Sequence, residues 1–183
     1  MSELRTNRIV PKDGLATVTQ TLGGNACGGI VQVRHSNTKG QTFASAESGT
    51  STFIATGISG SITPTRADNK ILIIANPSVM VYQNSGNQAN GSIKIMRSIG
   101  GASDTECSPI QIGSQVGSYD YGSTGILTYS NISMLGVDEP STTSEVTYQF
   151  YVKRLSGNGI RMGYVLTSDI GSNSYITLME IAG

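Results

Sequence analysis

Ile71-Leu72-Ile73-Ile74-Ala75 is the most compact uninterrupted apolar run in this sequence, with Asn69-Lys70 before it and Asn76-Pro77 after it. The run is short, rich in β-branched residues and bounded by residues that favour turns. These features predict a β-strand and not a helix, and they predict that both faces of the strand are buried. The rest of the chain must therefore supply other strands to pair with it and apolar groups to cover it.

The composition agrees with an all-β chain that has many turns. Of 183 residues only 13% are charged, about half the usual share in soluble domains, while 23 are Gly and 5 are Pro. The 12 Lys and Arg residues balance the 12 Asp and Glu residues, so the net charge is zero. Such a chain has no long-range field to attract nucleic acid or an anionic membrane, and it gains little colloidal protection as a free monomer. We therefore expect no nucleic-acid partner and a protein that functions within an assembly.

The N-terminal part divides into an arm and a connector. Residues 1–15 carry charged and turn-forming groups but too few apolar ones for a core, so they form either a disordered tail or an arm that becomes ordered against a partner. Residues 16–29 are small, polar and Gly-rich, as in an extended connector. Neither a signal-peptide core nor a run of about 18 apolar residues is present, which predicts a soluble protein made in a cytoplasm without membrane insertion.

Residues 30–183 carry the strand patterns. Nine or ten segments alternate apolar with small polar residues at spacings of roughly 10 to 20 residues, which predicts an antiparallel two-sheet sandwich with jelly-roll-like connections. Residues 36–52 and 113–125 are predicted to be long surface loops, because Gly and polar residues dominate them, and the first has room for an edge strand around Gln41-Thr42-Phe43. Gly157-Asn158-Gly159 is the clearest hairpin signal, and the last strand, which ends at Ile181, is expected to be central in its sheet.

Few residues suit catalysis, metal binding or cofactor binding. His35 is the only histidine and is expected to be a polar surface residue; the two cysteines, Cys27 and Cys107, have no metal-type spacing and are either a disulfide or, as we favour, two free thiols. No phosphate-binding loop or calcium loop occurs. The sequence thus predicts no cofactor, no metal site and no enzymatic activity.

A pair of carboxylates is the strongest alternative in favour of an enzyme, because glycan hydrolysis needs two acids at a fixed separation. All the candidates lie in turns or at strand starts, where solvated carboxylates are the usual case: Asp104 with Glu106, Asp120, Asp138 with Glu139, Glu145 and Asp169.

A binding loop has a better basis. Tyr119, Tyr121 and Tyr129 cluster around the Gly- and Ser-rich residues 113–125, and tyrosines among such neighbours form adaptable contacts to sugars or proteins. For any single one of these tyrosines, however, we favour the alternative that it only packs on the rim of the sandwich.

Several stretches, spread over nearly the whole chain, belong together as a pattern: SELRTNRIVPKDGL at 2–15, GGIVQV at 28–33, ITP at 62–64, NKILI at 69–73, PSTTS at 140–144 with VTY at 146–148, and ITLMEIAG at 176–183. In these stretches the chain resembles virion structural proteins of tailed bacteriophages, especially marine and cyanobacterial phages. Proteins of this group include tail fibres, tail spikes and capsid-associated proteins.

The resemblance implies a non-enzymatic virion component that is assembled in the host cytoplasm. Arg5, Asn7, Arg8, Ile9 and Val10 would attach the arm to other virion proteins at the tail, portal vertex or capsid, and the sandwich would project as a homotrimeric knob. A short tail fibre would contact a host surface glycan through Tyr119, Tyr121 and Tyr129. The alternatives are a capsid decoration or cement protein and a tail-spike glycan depolymerase.

Overall fold

The computed structural model describes residues 21–22, 25–26, 29–39, 44–47, 52–84, 88–119, 125–162 and 173–183. Every regular element in these ranges is a β-strand. The strands are β1 Thr21–Leu22, β2 Asn25–Ala26, β3 Ile30–Lys39, β4 Ala44–Glu47, β5 Ile54–Ile62, β6 Lys70–Asn76, β7 Ser78–Gln83, β8 Gln88–Ile99, β9 Thr105–Glu106, β10 Ile112–Tyr119, β11 Ile126–Asn131, β12 Met134–Asp138, β13 Val146–Ser156, β14 Gly159–Met162 and β15 Asn173–Ile181.

The strands form three larger antiparallel sheets and one short pair, β1 with β2. Sheet I has the order β12-β6-β15-β3, sheet II the order β11-β7-β14-β4, and sheet III the order β10-β8-β13-β5, with β9 paired to β8. Only Pro77 separates β6 from β7, and only Ile132 and Ser133 separate β11 from β12. Since proline cannot donate to the ladder, Pro77 divides one long strand between sheets I and II, which together form one layer.

The second layer is sheet III, and the core lies between the layers. The core is one cluster of buried side chains, which includes Ile71, Ile73 and Ala75 from the apolar run and Tyr148, Phe150 and Val152 from β13. The predicted all-β antiparallel sandwich is confirmed, and β15 lies between β6 and β3, so its predicted central position is confirmed too.

The structure corrects the prediction that Ile71–Ala75 is buried on both faces. Ile71, Ile73 and Ala75 point into the core, whereas Leu72 and Ile74 lie on the outer side of sheet I and are half-buried. In a two-layer sandwich each layer packs against the other with one face only. An apolar residue on the opposite, outward face is therefore buried only if another surface covers it.

Three local predictions are also wrong in the part of the chain that the structure describes. Residues 36–39 continue β3 and residues 113–119 belong to β10, because each segment finds a complete ladder partner, β15 and β8 respectively. Gly157-Asn158-Gly159 makes a turn but not a hairpin: β13 lies in sheet III and β14 in sheet II, so the turn carries the chain from one layer to the other. Gly157 has a φ of 83°, which suits glycine.

Candidate assembly surface

The outer side of sheet I carries apolar side chains in rows that cross the sheet. Direct cross-strand neighbours form one row: Val33, Met179, Leu72 and Val137. The next row consists of His35, Thr177, Ile74 and Leu135. Ile181 pairs with Ile30 and extends the surface by a third row. We call Val33, Leu72, Ile74, Leu135, Val137, Met179 and Ile181 the apolar face.

Much of the apolar face is accessible in the single chain. Leu135 is 71% exposed and Val33 is 49% exposed, and the other five members are half-buried. Ile110, also exposed, lies beside β12 because Pro109 before it bridges Asp138. A contiguous apolar surface of this kind makes the outer side of sheet I a candidate contact site.

The outer side of sheet III has the opposite character. Its outward positions on β8 and β13 are mostly polar, and they include Ser92, Lys94, Ser98, Thr147, Gln149, Tyr151 and Lys153. Lys94 forms an ion pair with Glu106, with 3.0 Å between Nζ and Oε1, and its ammonium group lies 4.3 Å from the ring centre of Phe53. Among the residues that the structure describes, the outer side of sheet I is therefore apolar and that of sheet III is mostly polar.

A buried carboxylate fixes the end of sheet I where β15 finishes. Glu180 is fully buried and accepts hydrogen bonds from Asn69 Nδ2 at 2.6 Å, Gln32 Nε2 at 2.6 Å, Thr65 N at 2.6 Å and Thr65 Oγ1 at 2.8 Å. Burial by itself raises the pKa of Glu180, but these donors outweigh burial and hold that pKa below its usual value. The carboxylate thus ties β3 and the 63–69 turn to β15.

A second buried carboxylate joins sheet I to sheet III. Asp138, at the end of β12, accepts hydrogen bonds from Arg97 Nη1 at 2.5 Å, Tyr148 Oη at 2.7 Å and the Ser108 backbone N at 2.7 Å. Burial, assisted by the nearby Asp138 charge, raises the pKa of Tyr148. Burial likewise raises the pKa of Cys107 to about 12. The Tyr148 hydroxyl is therefore a neutral donor and the Cys107 thiol is unreactive, which supports a structural role for the cluster.

Two of the predicted receptor-contact tyrosines, Tyr119 and Tyr129, lie on strands of different sheets. Tyr119 is at the end of β10, an edge strand of sheet III, and is exposed; Tyr129 is within β11, an edge strand of sheet II, and is half-buried. The two strands are consecutive in the chain, with Tyr121 and Asp120 between them and outside the described residues. The predicted attachment residues Arg5, Asn7, Arg8, Ile9 and Val10, together with Asp169 and Cys27, also lie outside them.

Asp104, Glu106 and Glu139 each have a side-chain partner. Tyr151 Oη donates to Asp104, Lys94 and the Gln111 amide bind Glu106, and Lys70 Nζ lies 2.7 Å from Glu139. Glu145 is exposed at the start of β13, and its backbone oxygen accepts from Gly100 N at 2.8 Å. The expectation that Asp138 is a solvated turn carboxylate is wrong, because Asp138 is the last residue of β12 and points into the core beside Arg97.

His35 and Cys107 both lie within the described residues. His35 is exposed, as expected, with Nδ1 2.9 Å from Thr177 Oγ1 and its ring 5.8 Å from that of Tyr175. Cys107 is a buried free thiol. Among the residues that the structure describes, no group of three or more His, Cys, Asp or Glu side chains is placed to hold a metal ion. In the same residues there is no helix with the length and apolar character needed to cross a membrane.

Sequence reasoning missed the apolar face as a site. The signal was present in β15, where Tyr175, Thr177, Met179 and Ile181 alternate with inward residues, but only the pairing register shows that Val33, Leu72 and Val137 align with Met179. No protein-family model matches this chain, and no curated protein matches its sequence.

Proposed function

We propose that this protein is a non-enzymatic structural component of a phage virion. In this proposal the sandwich is a homotrimeric short fibre or knob, residues 1–15 attach it to the particle, and its loops contact the host surface. The main support for the proposal is the apolar face. A sandwich with one apolar and one polar outer surface is suited to packing against other subunits of a multi-subunit particle.

The strand order supports the jelly-roll interpretation that accompanies this function. If β3/β4, β6/β7, β11/β12 and β14/β15 are each treated as one interrupted strand, the sandwich has eight strands in two sheets of four. The chain passes from one layer to the other at almost every connection, which is the behaviour of a double Greek key. Jelly rolls of this kind occur in capsid and lectin domains.

The partners of the candidate acids support a structural role over glycan hydrolysis. A hydrolase needs one carboxylate that donates a proton and another that faces the sugar across a groove. Here Asp138 is enclosed between the layers by Arg97 and Tyr148, and Glu106 is bound by Lys94 and Gln111. These interactions stabilise the sandwich itself.

Locating the protein in purified virions tests the proposal. We expect an antibody against the sandwich, or an image of the particle, to place the protein at the tail, which corresponds to a short fibre. Regular copies over the shell would instead support the capsid-decoration alternative. Purified particles without the protein would contradict both.

Host contact is tested by adsorption. Replacing Tyr119, which is exposed at the end of β10, with Ala is expected to slow phage adsorption to host cells without reducing the amount of protein in the particle. Unchanged adsorption in variants of Tyr119, Tyr121 and Tyr129 would show that these residues do not bind the receptor.

A further inference from the structure

We propose that the apolar face of each chain packs against a second copy of the same chain. The inference rests on the proposed function, in which the knob is a homotrimer, and it adds the surface through which the copies join. It starts from the row of Val33, Met179, Leu72 and Val137, in which four direct neighbours on four different strands are all apolar.

The size and layout of the surface match the centre of a protein interface. Its seven members, at about 4.8 Å between strands and about 6.8 Å between rows, give a projected area of roughly 230 Å². A standard interface covers about 800 Å² on each partner, with an apolar centre and a polar rim. The apolar face can supply that centre, and the rim is available from His35 and Tyr175 at one end and from Lys70 with Glu139 at the other.

Electrostatics favour a copy of this chain as the partner. Lys70 and Glu139 neutralise each other at 2.7 Å, so this part of the rim does not require a partner of opposite charge. The chain has 12 basic and 12 acidic residues, and two copies therefore approach without net repulsion. In addition, β3 and β12 are the edge strands of sheet I, where an open ladder is protected when another chain covers it.

The same packing explains the composition of the apolar run. Ile71, Ile73 and Ala75 fill the core of one chain, and Leu72 and Ile74 are the outward residues between them. A solvated outer face normally alternates apolar with polar residues. A neighbouring copy over sheet I buries Leu72 and Ile74, so that the strand is covered on both sides in the assembly.

The test compares Leu135→Asp with Leu127→Asp in the full chain. Leu135 is in β12 on the apolar face, and Leu127, 53% exposed, is in β11 outside that face; both lie on edge strands next to each other in sequence. We expect the unmodified protein to sediment as an oligomer, L135D to weaken association at least about tenfold, and L127D to leave it unchanged. Circular dichroism during heating checks that both variants fold, and Leu135→Gln serves as a milder second variant.

Each other outcome contradicts the inference. A full chain that stays monomeric at high micromolar concentration shows that a second copy does not cover the face. The remaining occupants are then its own N-terminal residues or another virion protein. An oligomer that L135D and L135Q leave intact shows that the copies join elsewhere. Failure here is distinct from failure of the proposed function, because a monomer can still be found in virions and an oligomer can be absent from them.

Discussion

At the scale of single residues, Glu180 shows how a buried charge is stabilised by dipoles. The carboxylate is fully buried and, among the described residues, its partners are amide, hydroxyl and backbone donors from Asn69, Gln32 and Thr65. Hydrogen bonds to a charged acceptor are stronger than those between neutral groups. They offset desolvation here, and they connect the 63–69 turn with two strands of sheet I.

We predict that Glu180→Gln lowers stability at pH 7 and flattens its pH dependence. Because the folded pKa of Glu180 is below the ordinary value of 4.5, its contribution is fully present above about pH 4.5 and is lost as the pH falls through the folded pKa. The Gln side chain replaces one carboxylate oxygen, an acceptor, with an NH₂ group, a donor that faces other donors. We expect this to lower the free energy of unfolding by roughly 1–3 kcal/mol. Urea unfolding between pH 7 and pH 3 measures both effects; an E180Q curve parallel to that of the unmodified protein would contradict the prediction.

We predict that Asp138→Asn destabilises the protein more than Arg97→Met. The side chain of Arg97 is only 14% exposed, and removing the carboxylate leaves its guanidinium without an anion. Such a loss typically costs about 3–5 kcal/mol. Removing Arg97 leaves Asp138 with the donors Tyr148 Oη and Ser108 N, so the loss is smaller. Chemical unfolding of both single variants and the double variant gives the coupling energy. Equal losses in the two single variants would show that the ion pair does not control this site.

These two carboxylates also show what the sequence alone can predict about a residue. The alternation in β15 puts Glu180 on the face that carries Ile176 and Leu178, since a strand has a period of two. Asp138 was misplaced because it is the last residue of β12 and is followed by a polar turn. Its inward direction depends on the register with Ile71, which no local pattern specifies.

At the scale of strands, glycine controls how closely the two layers approach. A Cβ on Gly91 of β8 would lie 2.5 Å from Cδ1 of Ile160, a buried residue of β14 in the opposite layer. Gly91 therefore lets sheet III pack directly on the β14 side chain. The same glycine is opposite Arg154, where β13 has a register irregularity.

We predict that Gly91→Ala lowers stability by roughly 1–3 kcal/mol, because the added methyl group overpacks the core against Ile160. Ile160→Ala, which creates space, should make the G91A substitution less costly than it is in the unmodified background. Thermal unfolding of the two single variants and the double variant measures this coupling. Gly29→Ala is the control, since a Cβ there meets nothing within 4 Å; equal effects of G29A and G91A would contradict the packing explanation.

The pattern of strands was more predictable than their pairing. Alternation and turn residues gave the all-β class and the central position of β15, because both follow from local chemistry and from the burial of a terminal strand. They did not give the partner of β14, which leaves β13 after Gly157-Asn158-Gly159 and pairs with β7 and β4. A turn signal specifies a reversal of direction but not the sheet in which the next strand pairs.

At the scale of the whole molecule, the arm and the sandwich have separable roles in the proposed function. The sandwich supplies its own core, with buried residues from both layers in one cluster. The arm, with Arg5, Asn7, Arg8, Ile9 and Val10, lacks the apolar groups for a core and is proposed to bind the particle. Attachment and folding should therefore respond differently to a truncation.

We predict that deletion of residues 1–15 abolishes incorporation into virions and leaves a folded oligomer of the sandwich. The reason is that sheets I, II and III and the apolar face all lie within residues 30–181, downstream of the deletion. Sedimentation and circular dichroism measure assembly and folding of the truncated protein, and immunoblots of purified particles measure incorporation. Reversal of charge at Arg5 and Arg8 in the full chain is the matched variant, since it keeps the length of the arm. Normal packaging of the truncated protein would show that the particle binds the sandwich and not the arm, whereas loss of its oligomer would show that the arm holds the copies together.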